Sequence, residues 1–385
     1  MVARKKVKAE EKLKVWVRSG GRCIICNRYL LEGQLSAREV TFGELAHIVG
    51  YSTAEGSPRG NDPLPKPERD MAENLMLVCD DEHDEIDKQR VRDLFPVDLL
   101  RNMKAAHESR IKHVTGLGPD RGTAIIRMIG NLRGSAVQLD RPSAAEAVIA
   151  NGRFPQFSLA LENDGIEIDL RNIPGEDVAE PEYYRSAIAV IDDVIDHKLT
   201  EGVKREVVNH LSVFGFARWP LLVYLGTALD DNVPTDIYQR HRSPQTWRWP
   251  ENGRTVSFDL ELPDVQSEVE EAVLIINVSG SIQAHEIPDA LTSLPRFTIT
   301  LDGATPEPDI FTTPESVGAF SRTCRQLLSA IEASHKQVQR LHVFAAMPVS
   351  AAITLGQVLD TTVHPHLSLY DRTETGYVSS MEIHS

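Results

Sequence analysis

The sequence predicts an α+β, metal-bound domain over residues 1–115, followed by an α/β domain over residues 116–385 built from two similar halves, about 145–250 and 270–385. Three observations carry this: clustered cysteines, a charge split and an internal repeat. The 385 residues, 41% of them apolar, suffice for two or three ordinary cores. Three of the four cysteines (Cys23, Cys26, Cys79) fall in the first 80 residues, which points to a metal rather than to disulfides. Net charge is −15, but unevenly spread: residues 1–115 hold 20 Lys and Arg against 19 Asp and Glu, so nearly all the excess acid lies beyond them. The most apolar stretch, Ala272 to Val278, is far short of the roughly 20 residues of a membrane helix, so a soluble intracellular chain is expected.

Along the chain, residues 1–28 come first, with nine basic side chains (Arg4, Lys5, Lys6, Lys8, Lys12, Lys14, Arg18, Arg22, Arg28) against Glu10 and Glu11: a phosphate-contacting arm or a solvated terminus. Cys23-x-x-Cys26 then forms a two-thiolate knuckle, and Cys79 followed by His83 adds two ligands one helical turn apart. Together they make a Cys3His zinc set. Between the knuckles lie Glu44-Leu45-Ala46-His47-Ile48, a Pro/Gly-rich loop, and Glu73-Asn74-Leu75 running to Cys79. After Pro96, Leu99, Leu100, Met103, His107 and Ile111 recur at helical spacing until Gly116, Gly118 and Pro119 mark a boundary near residue 116.

Beyond the boundary, alternating stretches (Ile166 to Leu170, Val256 to Leu262) interleave with helical ones (Tyr183 to Leu199, Pro314 to Val338), the pattern of an α/β domain. Cys324 sits at helical spacing among Phe320, Leu327, Leu328 and Ile331 and reads as a buried hydrophobe. His210 to Arg242 aligns without gaps on Arg340 to Arg372, nine of 33 positions being identical: Leu211/Leu341, Val213/Val343, Phe214/Phe344, Leu225/Leu355, Gly226/Gly356, Leu229/Leu359, Asp230/Asp360, Val233/Val363 and Arg242/Arg372. Each copy reads as strand, proline-bearing turn (Pro220 or Pro348), apolar helix, strand. Ligands of such sheets sit beyond the strands' carboxyl ends, near helix N-termini. Two copies imply a cleft with local two-fold symmetry, suited to a ligand with two similar halves. Tyr238 to Arg242, then Trp247 and Trp249, place aromatic rings beside arginines, where they either stack bases or fill strand faces.

The order Cys-x-x-Cys, His47, Asn74-Leu-x-x-x-Cys79, His83 resembles the HNH (ββα-metal) nuclease family over roughly residues 10 to 90. The resemblance implies a hairpin ending at His47, a helix carrying His83 and a divalent ion between them, with His47 as general base oriented by Asn74. Two departures stand out. Ala46 occupies the position before the base, where many members have a metal ligand, and Glu82 replaces a thiolate of the second knuckle. His83 therefore either completes the zinc site or holds the catalytic Mg2+ or other divalent cation; in the former case Glu44 and Asp87 are candidates for that cation.

With Leu211 to Phe214, residues 238–242, Trp247, Trp249 and His342 to Pro348, the whole chain resembles the HNH-SAVED endonuclease effectors of bacterial anti-phage (CBASS) signalling. That resemblance implies an α/β SAVED domain of two fused CARF-like Rossmannoid halves in a bacterial cytoplasmic protein. It implies as partners a cGAMP-like cyclic dinucleotide, double-stranded DNA and further copies of the chain, which assemble on ligand binding and then cleave DNA with little sequence preference. The implied ligand contacts are Phe214, Gln239, Arg242, Trp247, Trp249, Ser279, Phe344, Pro348, Tyr370 and Arg372. Two other classes remain: a restriction-type endonuclease whose second domain reads DNA, disfavoured by that domain's acidity, and a non-catalytic zinc scaffold.

Overall fold

The computed structural model describes residues 7–33, 38–132, 135–156, 165–204, 208–229, 233–263, 269–374 and 376–384. The chain divides into two compact units, Met1–Leu117 and Gly118–Ser385. Arg4, Lys5 and Lys6 of the basic arm, and Asp230 of the repeat, lie outside the described residues.

In the first unit, helix α1 (Ala9–Arg18) buries Val15 and Glu11. Strand β1 (Gly43–His47) pairs antiparallel with β2 (Leu75–Cys79), so that His47 faces Leu75 and Gly43 faces Cys79. Helix α2 (Asp80–Asp87) starts directly off β2; Asp80, Asp81 and Glu82 in its first turn complement the positive end of its dipole. Helix α3 (Val97–Thr115) closes the unit, turning Leu100, Lys104 and His107 inward. Val15, Leu30, Ile48, Leu75, Leu77, Ile86 and Leu100 form the core.

The Pro/Gly-rich loop between the strands is tied by buried polar groups in place of apolar packing. The Arg69 guanidinium, 2% exposed, donates to the carbonyls of Gly50 (2.7 Å), Gly60 (3.0 Å), Asp62 (2.8 Å) and Leu64 (2.9 Å). It satisfies carbonyls that a loop cannot pair within itself.

The second unit opens with β3 (Gly122–Ile129), the short pair β4 (Asn131–Leu132) and β5 (Ser135–Ala136), α4 (Arg141–Ala150), β6 (Phe154–Pro155) and β7 (Ile166–Asp169). Next come α5 (Pro181–Val194), a π-helical turn (Ile195–Thr200), α6 (Glu201–Lys204), β8 (Leu211–Phe216), α7 (Trp219–Leu229) and β9 (Thr235–Ile237). β3 pairs in parallel with β8 and, on its other side, with β6 and β7, and β8 pairs with β9. The first half thus takes its central strand from residues 122–129, upstream of the start at 145 that the sequence suggested. The eight residues of β3 are buried throughout, so they lack the alternation that marks a strand.

The second half holds β10 (Ser257–Glu261), β11 (Glu271–Asn277), β12 (Arg296–Asp302), α8 (Pro314–Ser334), β13 (Arg340–Ala346), α9 (Val349–Gln357), β14 (His366–Thr373) and β15 (Gly376–Ile383). Its six-stranded sheet runs β10-β12-β11-β13-β14-β15. Cys324 on α8 is fully buried, and burial pushes its thiol up.

The repeat is a structural one. β8–α7–β9 and β13–α9–β14 have the same order, and α7 crosses α9 at their two glycines. A Cβ on Gly226 would meet the Ile353 carbonyl oxygen at 2.1 Å, and one on Gly356 would meet that of Val223 at 1.9 Å. Positions 223 and 353 are partners in the repeat, so each glycine touches the counterpart of the other's contact, as a local two-fold axis requires. The repeated Leu-Gly is therefore a helix-crossing motif, glycine permitting the backbones to approach.

Candidate functional site

Local structure in the first unit gathers the three early cysteines. The knuckle lies beside the end of β2, where Ile24 N–H donates to Leu77 O at 2.9 Å, and Cys79 is the last residue of that strand. The sulfurs of Cys23, Cys26 and Cys79 lie within 4.8 Å of one another, with Cys26 and Cys79 3.8 Å apart. Tetrahedral zinc with bonds of about 2.3 Å sets its sulfurs about 3.8 Å apart, so the spacing fits such an ion. Burial pushes the Cys26 thiol up to about 12, the nearby Cys23 and Cys79 adding to it. A bound cation would be needed to keep these sulfurs as thiolates there.

His83 is not part of this cluster, which corrects the four-ligand zinc set expected from spacing. α2 turns its ring towards β1, where Nδ1 lies 2.5 Å from Glu44 Oε2 while Nε2 lies 3.6 Å from Asp87 Oδ2. Asp87, then Glu44, raise the imidazole to about 9 against the effect of burial. Asp87 also accepts from Arg59 Nη2 at 2.5 Å. Burial alone would raise its carboxyl, but His83 and Arg59 outweigh this and hold it below its usual value. The three residues suggested for a catalytic cation thus come together on one side of the hairpin, paired with one another and with Arg59. Ala46 is sealed in the core.

His47 ends β1 only 8% exposed, with ring Nε2 2.9 Å from Asp70 Oδ1. Asn74, expected to orient this ring, instead accepts from Val49 N–H and donates to the carbonyls of Val49 and Arg69, all at 2.9 Å. It fixes the loop after His47, and Asp70 is the carboxylate that meets the ring. Sequence reasoning missed Asp70, which no fixed spacing links to His47. The basic arm is partly consumed within the unit: Lys14 pairs with Glu10 and Glu11, Arg18 with Glu73, and Arg28 lies over the Phe42 ring.

The second unit contains a cavity of about 780 Å³, within the size range of small-ligand sites. Its walls come in pairs. Phe216, Ala217, Arg218 and Trp219 of the β8–α7 turn line it, and so do Ala346, Met347, Pro348 and Val349 of the β13–α9 turn, which occupy the same positions in the repeat. Gln239, Arg240, Arg242, Ser279, Asp371, Arg372 and Tyr377 also line it. Of the expected contacts, Gln239, Arg242, Ser279, Pro348 and Arg372 therefore share one cavity.

Five others do not: Phe214, Trp247 and Phe344 are core residues, Tyr370 is half-buried against Phe344, and Trp249 lies elsewhere. Phe214 is fully buried, stacked on Tyr238 (centroids 4.3 Å apart) and edge-on to the buried Trp247. Phe344 is likewise buried, stacked on Tyr370 at 4.5 Å, and the Tyr370 hydroxyl meets His342 Nδ1 at 3.1 Å. Trp249 lines a separate cavity of about 230 Å³.

Strand register also corrects the arginine pairing. Phe214 lies beside Tyr238 across stacked rings, whereas Phe344 pairs with Tyr370; Leu211 pairs with Thr235 but Leu341 with Leu367. The second copy is thus two residues longer between helix and strand. Tyr238, Gln239 and Arg240 match Tyr370, Asp371 and Arg372, so the twin of Arg372 is Arg240.

At the cavity floor these twins reach across to the opposite half. Gln239 Oε1 accepts from Ser350 N–H (3.2 Å) and Oγ (2.8 Å) at the start of α9. Asp371 Oδ2 accepts from Arg218 Nη1 (2.9 Å), just before α7, and from the Tyr184 hydroxyl (2.5 Å). Arg218 Nε also lies 2.9 Å from Glu176 Oε1. Burial works against the Arg218 charge, but Asp371 outweighs it and raises its pKa.

The profile of the SAVED family, "SMODS-associated and fused to various effectors sensor domain", matches residues 191–383, which span both twinned units. The chain belongs to the SAVED family. The structure is similar to that of an Acinetobacter baumannii Cap4 SAVED/CARF-domain containing receptor with the cyclic trinucleotide 2'3'3'-cAAA, at a TM-score of 0.45 and 15% identity over 79% of this chain and 62% of that one. It is similar also to a Moraxella osloensis Cap4 SAVED/CARF-domain containing receptor, at a TM-score of 0.41 and 16% identity over 76% of this chain and 60% of that one. The SAVED chain described here thus spans about three fifths of the length of those receptors. No curated protein matches it. Among the described residues, no helix is long and apolar enough to cross a membrane.

Proposed function

We propose that this SAVED protein is a ligand-switched nuclease of bacterial anti-phage defence. The cavity takes a cyclic oligonucleotide, a cGAMP-like cyclic dinucleotide suiting its two-fold walls best, and the first unit hydrolyses double-stranded DNA once the liganded chains assemble. The carrying observation is the cavity whose two strand-to-helix turns and twinned arginines are built twice. Each half of such a ligand meets the same groups: a helix start that favours phosphate and a guanidinium.

In the first unit Cys23, Cys26 and Cys79 would hold structural zinc. A divalent cation such as Mg2+, when bound, stabilises charge developing on phosphate; Glu44, His83 and Asp87 would hold it, exchanging their present pairing for the ion. His47 takes the proton from water, while Asp70 orients the imidazole and stabilises its charged form. A non-catalytic zinc scaffold is the second reading, favoured by the near-complete burial of His47 and the internal pairing of His83 with Asp87.

The test is plasmid cleavage by the full chain with Mg2+ and a panel of cyclic di- and trinucleotides. Cleavage appears with one ligand, and His47→Ala abolishes it while leaving binding intact. Strong cleavage by the ligand-free protein at low concentration overturns the switch, and ligand binding without cleavage under any metal supports the scaffold.

A further inference from the structure

The two twinned arginines of the cavity are restrained differently. Arg240 donates to neutral acceptors, the carbonyl oxygen of His241 and, at 3.4 Å, the Gln245 side chain. Arg372 is instead ion-paired, its Nη2 lying 2.6 Å from Glu286 Oε1.

Glu286 is a rigidly presented carboxylate. It ends a 3-10 turn (Ala284–Glu286) closed by a capping box, in which its Oε2 accepts from Gln283 N–H at 2.8 Å. That turn is anchored by Ile282 and Ile287, buried in one cluster with Phe344. The carboxylate itself is 15% exposed and the Arg372 side chain 51%. Arg372 lines the cavity, whereas Glu286 is not among its lining residues. A capped, anchored turn loses little entropy in holding its charge there.

We infer that Glu286 is an internal substitute for a ligand phosphate: it neutralises Arg372 in the empty cavity and must be displaced, wholly or in part, when an anionic ligand arrives. This rests on the cyclic-oligonucleotide reading above. The physical consequence is a raised threshold. Each ligand phosphate that meets Arg372 competes with a carboxylate already in place, so apparent affinity falls by the fraction of time the guanidinium is engaged. Among the described residues the other twin makes no ion pair this close, Asp309 acting on it only from farther away, so the two ends of the cavity differ in affinity for phosphate although their backbones match.

The experiment measures ligand affinity by calorimetry for the full chain and for Glu286→Gln, Arg372→Ala and the double variant, using the member of a cyclic di- and trinucleotide panel that binds the wild type. Gln keeps a carbonyl oxygen to cap the turn and removes only the charge. Glu286→Gln is expected to bind about three- to tenfold more tightly than wild type, Arg372→Ala more weakly, and the double variant no better than Arg372→Ala. Unchanged or weaker binding by Glu286→Gln at an unchanged melting temperature overturns the inference while leaving the ligand reading standing. Tightening that persists in the double variant overturns it too, since the gain would not pass through Arg372. If the wild type binds no member of the panel, the ligand reading fails and this inference falls with it.

Discussion

The two halves of the second unit share a backbone path and differ in the chemistry laid over it. Each has a fully buried phenylalanine stacked on a tyrosine in or just past the next strand, and each offers a glycine to the same helix crossing. Yet the residue after that tyrosine is Gln239 in one half and Asp371 in the other. The first makes a neutral contact with the opposite helix start, the second a buried ionic one. Duplication has kept what packing demands. What lines the cavity differs, because polar groups there pair with one another across the halves rather than pack in the core.

That contrast can be broken by unequal mutations at equal positions. Arg218→Met strands Asp371 and Glu176 in the interior and is expected to cost about 3–5 kcal/mol in urea unfolding, whereas Gln239→Leu, at the neutral contact, costs about 1–2 kcal/mol. Equal losses would erase the distinction between the two floors. Gly226→Ala and Gly356→Ala should instead match each other, each losing about 1–3 kcal/mol or slightly more as the helices are forced apart; a marked asymmetry would mean that the crossing is not two-fold. Replacing either twinned arginine, Arg240→Ala or Arg372→Ala, should weaken cyclic-oligonucleotide binding about 10- to 100-fold, read by calorimetry, without a comparable change in melting temperature.

The smallest effect concerns acid. His210 begins the first repeat where Arg340 begins the second. Burial pulls its imidazole down to about 4, despite the opposing pull of Asp236. The unfolded chain therefore binds a proton first, and stability is lost as pH falls from about 6.5 towards 4. About 1 kcal/mol should go between pH 6.5 and 5.5, and His210→Gln should flatten that limb; an unchanged acid limb would show the ring to be protonated in the native state.

Much of this was legible in the sequence, and the lapses have physical causes. Cys23-x-x-Cys26 is a short-range pattern that one turn of backbone realises, and Cys79 ends the strand beside it. His83 escaped because its direction depends on how α2 sits on β1, which spacing from Cys79 leaves open. Phe214 and Phe344 are ligand contacts only by family resemblance; their recurrence in a duplicated fold marks the core, where both are buried. The Arg240–Arg372 twinning was hidden because two extra residues lie between helix and strand in the second copy, while a chance identity at 242 and 372 sustained the ungapped alignment.

Periodicity, the repeat and the early cysteines thus set the architecture and the presence of a twin-walled site, since these follow from local backbone preferences and from which side chains water expels. The identity of the groups facing the cavity, the carboxylate against His47 and the pairing of Arg372 with Glu286 were settled only in three dimensions. Each joins residues far apart in the chain, and whether such polar groups meet depends on the angles and register at which finished elements pack.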